Sequence, residues 1–281
     1  MYNNDMSYRC ILCDLDETLL DDKKNIHVDN VNSIKSLKEK NIKFVCATGR
    51  HYSGIKNVLK TLDLENKKDE YIVSLNGALI VECKDYKVLY SSTFSGLKAI
   101  ELVKFARKYD LCVELYTPNN IYIYNLNDDE RSRVNKSGLC FIEILDWNVD
   151  YLYKEDVLKI ALESNDYDYI LNLKEEVDSI IDESISFTYS SNRYMEFNAS
   201  TTSKGLALKY LANYLNIDID ETIAIGDHLN DLSMLEVAGL SVAVSNAQDV
   251  IKNICDVVTE RSNNDGAVAE VINRFIGGNH E

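Results

Sequence analysis

A chain of 281 residues with 46% hydrophobic and 27% charged residues has the composition of a globular protein, with ample core for one large domain or two smaller ones. Its net charge of −16 argues against a nucleic-acid-binding surface, which needs a basic stripe, and any anionic substrate must be met by local cations. Seven singly scattered cysteines exclude a disulfide framework, and no stretch approaches the ~18 uninterrupted apolar residues of a membrane span.

The opening residues, Met1-Tyr-Asn-Asn-Asp-Met6, are polar, so a reduced, cytoplasmic location is expected. The apolar run Tyr8-Arg-Cys-Ile-Leu-Cys13 reads as a buried strand ending in Asp14-Leu-Asp16-Glu17-Thr18-Leu19. Cys10 and Cys13 are spaced like half of a zinc site, but no second pair follows, and both read as small buried hydrophobes. Asp14 and Asp16 stand two apart along an extended chain and so point the same way. Like charges at ~4 Å repel by about 4 kcal/mol at an effective dielectric of ~20, which a divalent cation would offset. The alternative is a solvated Asp-rich turn.

A helix is expected over about 30–40, with Val31, Ile34 and Leu37 on one face, then a strand Ile42-Lys-Phe-Val-Cys-Ala47 ending at Thr48-Gly49-Arg50. A second helix carries Ile55, Val58, Leu59 and Leu62, and a third strand, Tyr71–Leu75, ends at Asn76-Gly77. Strands separated by helices imply right-handed crossovers in a parallel sheet, whose ligand crevice lies beyond the carboxyl ends of the strands. From about Lys84 to Asn192 the strands, such as Leu111–Tyr116 and Ile121–Tyr124, are tyrosine-rich and closer to alternating. With helices expected at 96–109 and 167–181, this suits an inserted α+β domain, with Pro118 in a hairpin loop. Tyr116, Tyr122, Tyr124, Tyr189 and Trp147 read as core or sheet-face residues rather than a substrate platform. The α/β pattern then resumes: a helix over 204–215, a strand Thr222-Ile-Ala-Ile225 ending at Gly226-Asp227-His228-Leu229-Asn230-Asp231, and a strand Leu240–Val244 ending at Ser245-Asn246-Ala247. The expected fold class is α/β, a Rossmann-like parallel-sheet core over 1–84 and 193–281 with an inserted α+β cap over 85–192.

Asp14/Asp16, Thr48-Gly49, Lys204 and Asp227/Asn230/Asp231 thus all lie at strand ends or helix starts. Carboxylate and hydroxyl oxygens are hard ligands suited to Mg²⁺, and no His/Cys cluster suggests zinc. Thr48-Gly49 at the head of a helix offers a hydroxyl and backbone N–H groups to an anion, and Lys204 supplies positive charge. Together these describe a phosphate site, and phosphoryl transfer is mostly positioning and charge neutralisation. Taken singly, each has a plain alternative: Asp227 as a helix cap, Lys204 as a solvated first-turn residue, Thr48 as a cap.

In order, Asp14-Leu-Asp16-Glu17-Thr18, Thr48-Gly49-Arg50, Ser203-Lys204-Gly205 and Gly226-Asp227-His228-Leu229-Asn230-Asp231 resemble the four motifs of the haloacid dehalogenase superfamily. The size of the insertion, with Asn76-Gly77-Ala78, Asn246-Ala247 and Asp265-Gly266-Ala267-Val268-Ala269, is similar to the Cof-type sugar-phosphatase branch. The resemblance implies that Asp14 is the nucleophile, and that Asp16 is the acid that protonates the leaving alkoxide and the base that then activates water. Asp16 would need to hold a proton near neutral pH, above an ordinary aspartate value of about 3.9. It implies Mg²⁺ on the Asp14 carboxylate, the Asp16 carbonyl and the Asp227 carboxylate, with Asp231 supporting the metal waters or Lys204. Thr48, the Gly49 amide and Lys204 would hold phosphoryl oxygens, with Asn230 and Asn246 as polar contacts nearby.

Arg50 is balanced between a substrate or cap contact and a salt bridge. Glu17 and His228 stand where many relatives carry Gly and a small residue; preference and pH profile could shift with them. His27, His51, His228 and His280 lack partners at metal or triad spacing, and no role is assigned to them. The expected function is a Mg²⁺-dependent phosphatase of small phosphorylated metabolites, sugar phosphates foremost, with neither nucleic acid nor membrane as partner and an undetermined oligomeric state. The alternatives are a phosphotransferase, such as a phosphosugar mutase, and a catalytically silent phosphate-binding regulator. Asp16 argues against the dehalogenases of the family, which lack the second aspartate.

Overall fold

The computed structural model describes residues 7–276, so the polar opening residues and His280 lie outside the described residues. The chain divides into two compact units, residues 1–89 with 203–281, and residues 90–202. In chain order the strands are β1 Cys10–Asp14, β2 Lys43–Ala47, β3 Tyr71–Ser74, β4 Leu79–Glu82 and β5 Lys87–Ser91. Then come β6 Phe94–Ser95, β7 Cys112–Tyr116, β8 Ile121–Tyr124, β9 Ile142–Ile144, β10 Asp156–Val157, β11 Lys159–Glu163, β12 Ile185–Ser190 and β13 Tyr194–Ala199. The last three are β14 Thr222–Gly226, β15 Leu240–Ala243 and β16 Val257–Val258.

The first unit is built on an eight-stranded sheet ordered β16-β15-β14-β1-β2-β3-β4-β5. Its centre is parallel: β1 pairs with β2 on one side and β14 on the other, and β15, β16 and β3 extend it in the same direction. All five residues of β1 are buried, as a strand covered on both faces requires. β4 runs antiparallel to β3. The alternating β and α pattern of the sequence therefore yields the α/β, Rossmann-like core it predicts. Because the order reverses between β2 and β14, both flanking β1, the crevice beyond the carboxyl end of β1 is the switch point of the sheet.

The expected helix at 30–40 is an α-helix over Val28–Ser36 continued by a 3-10 turn, Leu37–Lys40, closed by the left-handed Asn41. The helix expected at 204–215 is present as Lys204–Leu215, capped by the Ser203 side chain on the Leu206 N–H.

In the second unit, six strands form a sheet ordered β12-β13-β11-β7-β8-β9, antiparallel except between β8 and β9. Pro118 lies in the β7–β8 hairpin loop, closed by the Thr117 N–H on the Asn120 carbonyl. The helix Gly96–Lys108 packs Leu102, Val103 and Ala106 against Val113, Leu115, Ile160 and Phe197. The segment expected as one helix at 167–181 breaks at Leu173 into Tyr167–Asn172 and Lys174–Asp178. Tyr124 is fully buried and stacks on Trp147, ring centroids 5.7 Å apart. Tyr116, also buried, lies on the opposite, polar face of the sheet and donates its hydroxyl to Glu114.

The second boundary differs from the expected 193. β13 pairs with both β11 and β12, so Tyr194–Ala199 belongs to the inserted unit and the chain returns at Ser203. Phe197 and Met195 face that unit's own core, which an apolar run in sequence cannot reveal.

Candidate active site

Four segments of the first unit meet at the carboxyl end of its parallel strands. β1 ends at Asp14 and β14 at Gly226, so the parallel pairing of these neighbouring strands brings Asp14 and Asp227 together. Lys204 opens its helix just behind them. Its approach depends on Gly77, whose φ is +100°: a Cβ there would lie 2.3 Å from the Ser203 carbonyl oxygen, so only glycine fits. Gly226 plays the same part under Asp231, since a Cβ there would lie 2.6 Å from its Oδ2.

Lys204 is fully buried, and its Nζ lies 2.5 Å from Asp14 Oδ1 and 2.6 Å from Asp231 Oδ1. Asp231 Oδ2 accepts the backbone N–H groups of Asp227 (3.0 Å) and His228 (3.2 Å). Asp227 Oδ1 accepts the hydroxyl of Thr18 at 2.8 Å. Asp14, Asp227 and Asp231 each offer a carboxylate oxygen within 4.8 Å of the others, the one such acidic group among the described residues.

Three carboxylates against one ammonium leave a formal excess of two negative charges in a buried place. The titration of the groups reflects this. Burial, reinforced by the Asp231 and Asp227 charges and opposed by Lys204, pushes the Asp14 carboxyl well above the usual carboxylate range. Burial and Asp231 push Asp227 up to about 7, against the Thr18 hydrogen bond. Burial works against the Lys204 ammonium, but the Asp14 and Asp231 carboxylates more than offset it and raise its pKa. A hard, all-oxygen donor set short of two positive charges fits Mg²⁺, which would keep Asp14 and Asp227 ionised at neutral pH.

Thr48 and Gly49 follow β2 at the same end of the sheet. Thr48 is buried, and its Oγ1 accepts the Arg50 N–H at 3.1 Å. Asn230 is exposed on the short 3-10 turn Leu229–Asp231. His228 is exposed, its Nε2 2.7 Å from the Gln248 amide nitrogen, beside the metal-type carboxylates without adding a ligand to them.

Asp16 departs from its expected environment. Its carboxylate is not one of the clustered three and pairs with both Nε (2.9 Å) and Nη2 of Arg50, and with Lys24 Nζ at 3.0 Å. Burial raises the Asp16 pKa, but Arg50 and Lys24 together outweigh it and hold the carboxyl below its ordinary value. The expectation of a raised pKa is therefore corrected for this arrangement: Asp16 is an ionised partner of two cations. Arg50, balanced in sequence between two readings, is in a salt bridge.

Thr18, Lys24 and Asn263 were not read as site residues from the sequence. Thr18 lies inside the first motif and could have been singled out by its place between Asp16 and the turn. Lys24 returns to Asp16 because Leu20 bridges to both Asp16 and Ile26, a local reversal that sequence periodicity does not show. Asn263 comes from a distant loop and donates to the Leu20 carbonyl at 3.1 Å.

A model of the haloacid dehalogenase-like hydrolase family matches residues 11–272. Phosphatase YwpJ of Bacillus subtilis is 27% identical over 298 residues, which cover 95% of this chain and 100% of that protein. A haloacid dehalogenase-like hydrolase from Bacteroides thetaiotaomicron, 28% identical, superposes with a TM-score of 0.86 over 96% of this chain and 100% of its own. A subclass IIB sugar phosphatase of the same superfamily, 19% identical, shares the fold with a TM-score of 0.79 over 95% of this chain and 98% of that one.

Proposed function

The chain belongs to the haloacid dehalogenase-like hydrolases and is a phosphatase, and on that premise we propose that it is a Mg²⁺-dependent phosphatase that hydrolyses small phosphorylated metabolites, sugar phosphates foremost, through an aspartyl-phosphate. The observation that carries this reading is the buried Lys204 bonded to both Asp14 and Asp231, with Asp227 completing an acidic group within 4.8 Å. The YwpJ protein supports the phosphatase activity, and the subclass IIB sugar phosphatase of like fold supports the substrate class.

Lys204 holds Asp14 Oδ1, so Oδ2 is the oxygen left to attack phosphorus in line as the bond to the leaving oxygen breaks. Once its carboxylate has taken up a proton from solvent as substrate binds, Asp16 gives that proton to the departing alkoxide, then takes one from the water that attacks the aspartyl-phosphate and restores Asp14. To do so it must leave Arg50 and Lys24, and the dianionic phosphate offers both cations another partner. The Thr48 hydroxyl, the Gly49 N–H and Lys204 hold the phosphoryl oxygens, with Asn230 close by. The Asp14 and Asp227 carboxylates and the Asp16 carbonyl, with Asp231 behind them, would hold Mg²⁺, which would supply neutralisation of the phosphoryl charge. A cytoplasmic location suits phosphorylated metabolites in this reading.

Phosphate release from a panel of sugar phosphates, nucleotides and phosphorylated cofactors, with Mg²⁺ and with EDTA, tests the reading beside an Asp14→Asn control. Release that needs Mg²⁺ and Asp14 is expected. A folded, Mg²⁺-binding protein that releases phosphate from none of them would replace it with a phosphotransferase awaiting its acceptor or a phosphate-binding regulator.

A further inference from the structure

Glu17 has a φ of +62°, in the left-handed region that a residue with a side chain occupies at a cost glycine does not meet. The conformation matters because of what flanks it. The Leu15 carbonyl accepts the N–H groups of Leu19 (3.1 Å) and Leu20 (2.8 Å), so the chain reverses tightly around Glu17. On one side of that reversal Asp16 reaches Arg50 and Lys24; on the other, the Thr18 hydroxyl reaches Asp227. A rotation of Glu17 toward negative φ would move one of these against the other.

Two asparagines from distant loops hold the reversal. Asn246, just beyond β15, donates its side-chain N–H to the Glu17 carbonyl at 2.7 Å, while its Oδ1 accepts the Asn263 N–H at 2.9 Å. Asn263 is 2% exposed, and its own amide donates to the Leu20 carbonyl at 3.1 Å and to Asp22 Oδ1 at 3.2 Å. Anchored through its oxygen on a buried neighbour, the Asn246 amide has its N–H aimed at one backbone oxygen. The Glu17 side chain itself is exposed.

We propose that Asn246 is a positioning residue, whose amide holds the Glu17 backbone in the left-handed conformation that sets Asp16 relative to the Thr18–Asp227 pair. This rests on the phosphatase reading and assigns Asn246 an action on the chemical step without contact with substrate. The sequence singled out Asn246 as a polar residue near the site; the structure directs its amide to the backbone of the first motif instead.

The test is a cycle of Asn246→Ala and Glu17→Gly, read as kcat and KM for the best substrate of the panel. Asn246→Ala is expected to lower kcat about tenfold with KM changed less than about twofold, the pattern of a displaced reacting group. Glu17→Gly in that background is expected to restore at least about threefold, since glycine takes positive φ without a hydrogen bond to hold it. The same glycine in the otherwise unaltered protein should change kcat less than about twofold. If Asn246 merely stiffened the loop, glycine would loosen it further and lower kcat again; that result, or an unchanged kcat in Asn246→Ala, overturns the proposal. Should Asn246→Ala not fold, Asn246→Asp keeps the acceptor for Asn263 and puts a charged, acceptor-only oxygen against the Glu17 carbonyl, and the same kcat rescue by Glu17→Gly decides. If the unaltered protein releases no phosphate, the phosphatase reading fails and takes this proposal with it; an active protein indifferent to Asn246 sinks the proposal alone.

Discussion

Lys204 Nζ and Asp14 Oδ1 lie 2.5 Å apart with the lysine fully buried, so the positive charge of the site is fixed on one of the two Asp14 oxygens. The ion pair thereby sets the orientation of the carboxylate as well as its charge. The site is also an electrostatic compromise: its three carboxylates, all ionised, would carry more negative charge than Lys204 neutralises, and the Asp14 carboxyl is pushed well above the usual range.

Replacing Asp14 by Asn should separate activity from stability. Loss of the attacking oxygen should lower kcat by at least about a thousandfold. Without Mg²⁺, the neutral amide removes a carboxyl whose ionised form burial and Asp231 oppose, so urea unfolding near pH 7 should show a gain of at least about 1 kcal/mol. A destabilised Asp14→Asn protein would mean that the Lys204 pair outweighs the repulsion.

Lys204→Met should do the reverse. It strands Asp14 and Asp231 in a buried place, and breaking a buried pair of this kind costs about 3–5 kcal/mol. Mg²⁺ should then raise the melting temperature more than it does in the unaltered protein, because the metal inherits more uncompensated charge. Thermal melts with Mg²⁺ and with EDTA measure both effects.

Much of this site was legible in the sequence because it hangs on strand ends. Asp14, Thr48 and Asp227 close apolar runs that can only be buried strands, and neighbouring parallel strands must deliver their termini to one edge. The pairing of Asp16 with Arg50 was not legible: it joins residues 34 apart in sequence through side-chain rotamers, and composition gives no sign of which cation a carboxylate will choose. Glu17 was readable as a departure from glycine, but its left-handed backbone and the amide that holds it needed the loop from Asn246 to Asn263. The strand Tyr194–Ala199 went to the other unit for a related reason, since an apolar alternation does not name its partner.

Lys24→Ala should raise the Asp16 pKa, modestly because both side chains are part exposed. A general acid must be protonated, so the reaction loses rate as pH rises through its pKa. The limb of kcat/KM that reports Asp16 in the free protein, which Arg50 and Lys24 hold below the ordinary carboxylate range, should therefore move to higher pH. An unmoved limb would assign it to another group.

Glu114 predicts a pH dependence of stability seated in the inserted unit. Burial pushes its pKa up to about 8, with the Glu130 charge adding to the rise and the Tyr116 hydroxyl and Lys159 opposing it; Tyr194 donates to the Glu130 carboxylate at 2.8 Å. The folded state binds this proton more tightly than the unfolded state, whose ordinary value is 4.5. The stabilisation is complete below that value and is lost as pH rises through about 8, with a slope of at most about 1.4 kcal/mol per pH unit for one proton. Urea midpoints between pH 5 and 8 should fall in the unaltered protein and flatten in Glu114→Gln.

The sheet that carries the site is closed by partners from opposite ends of the chain. β1 lies between β2, which follows it closely, and β14; at their base Arg9 and Glu221 form an ion pair across 212 residues of sequence. A nascent chain leaves the ribosome at about 5–20 residues per second, so β1 waits roughly 10–40 s with one edge unpaired. Throughout that interval Asp14 has neither Lys204 nor Asp227 beside it. The acidic group and its lysine are therefore assembled late in synthesis, and a truncated translation product carries the first motif without the residues that gather around it.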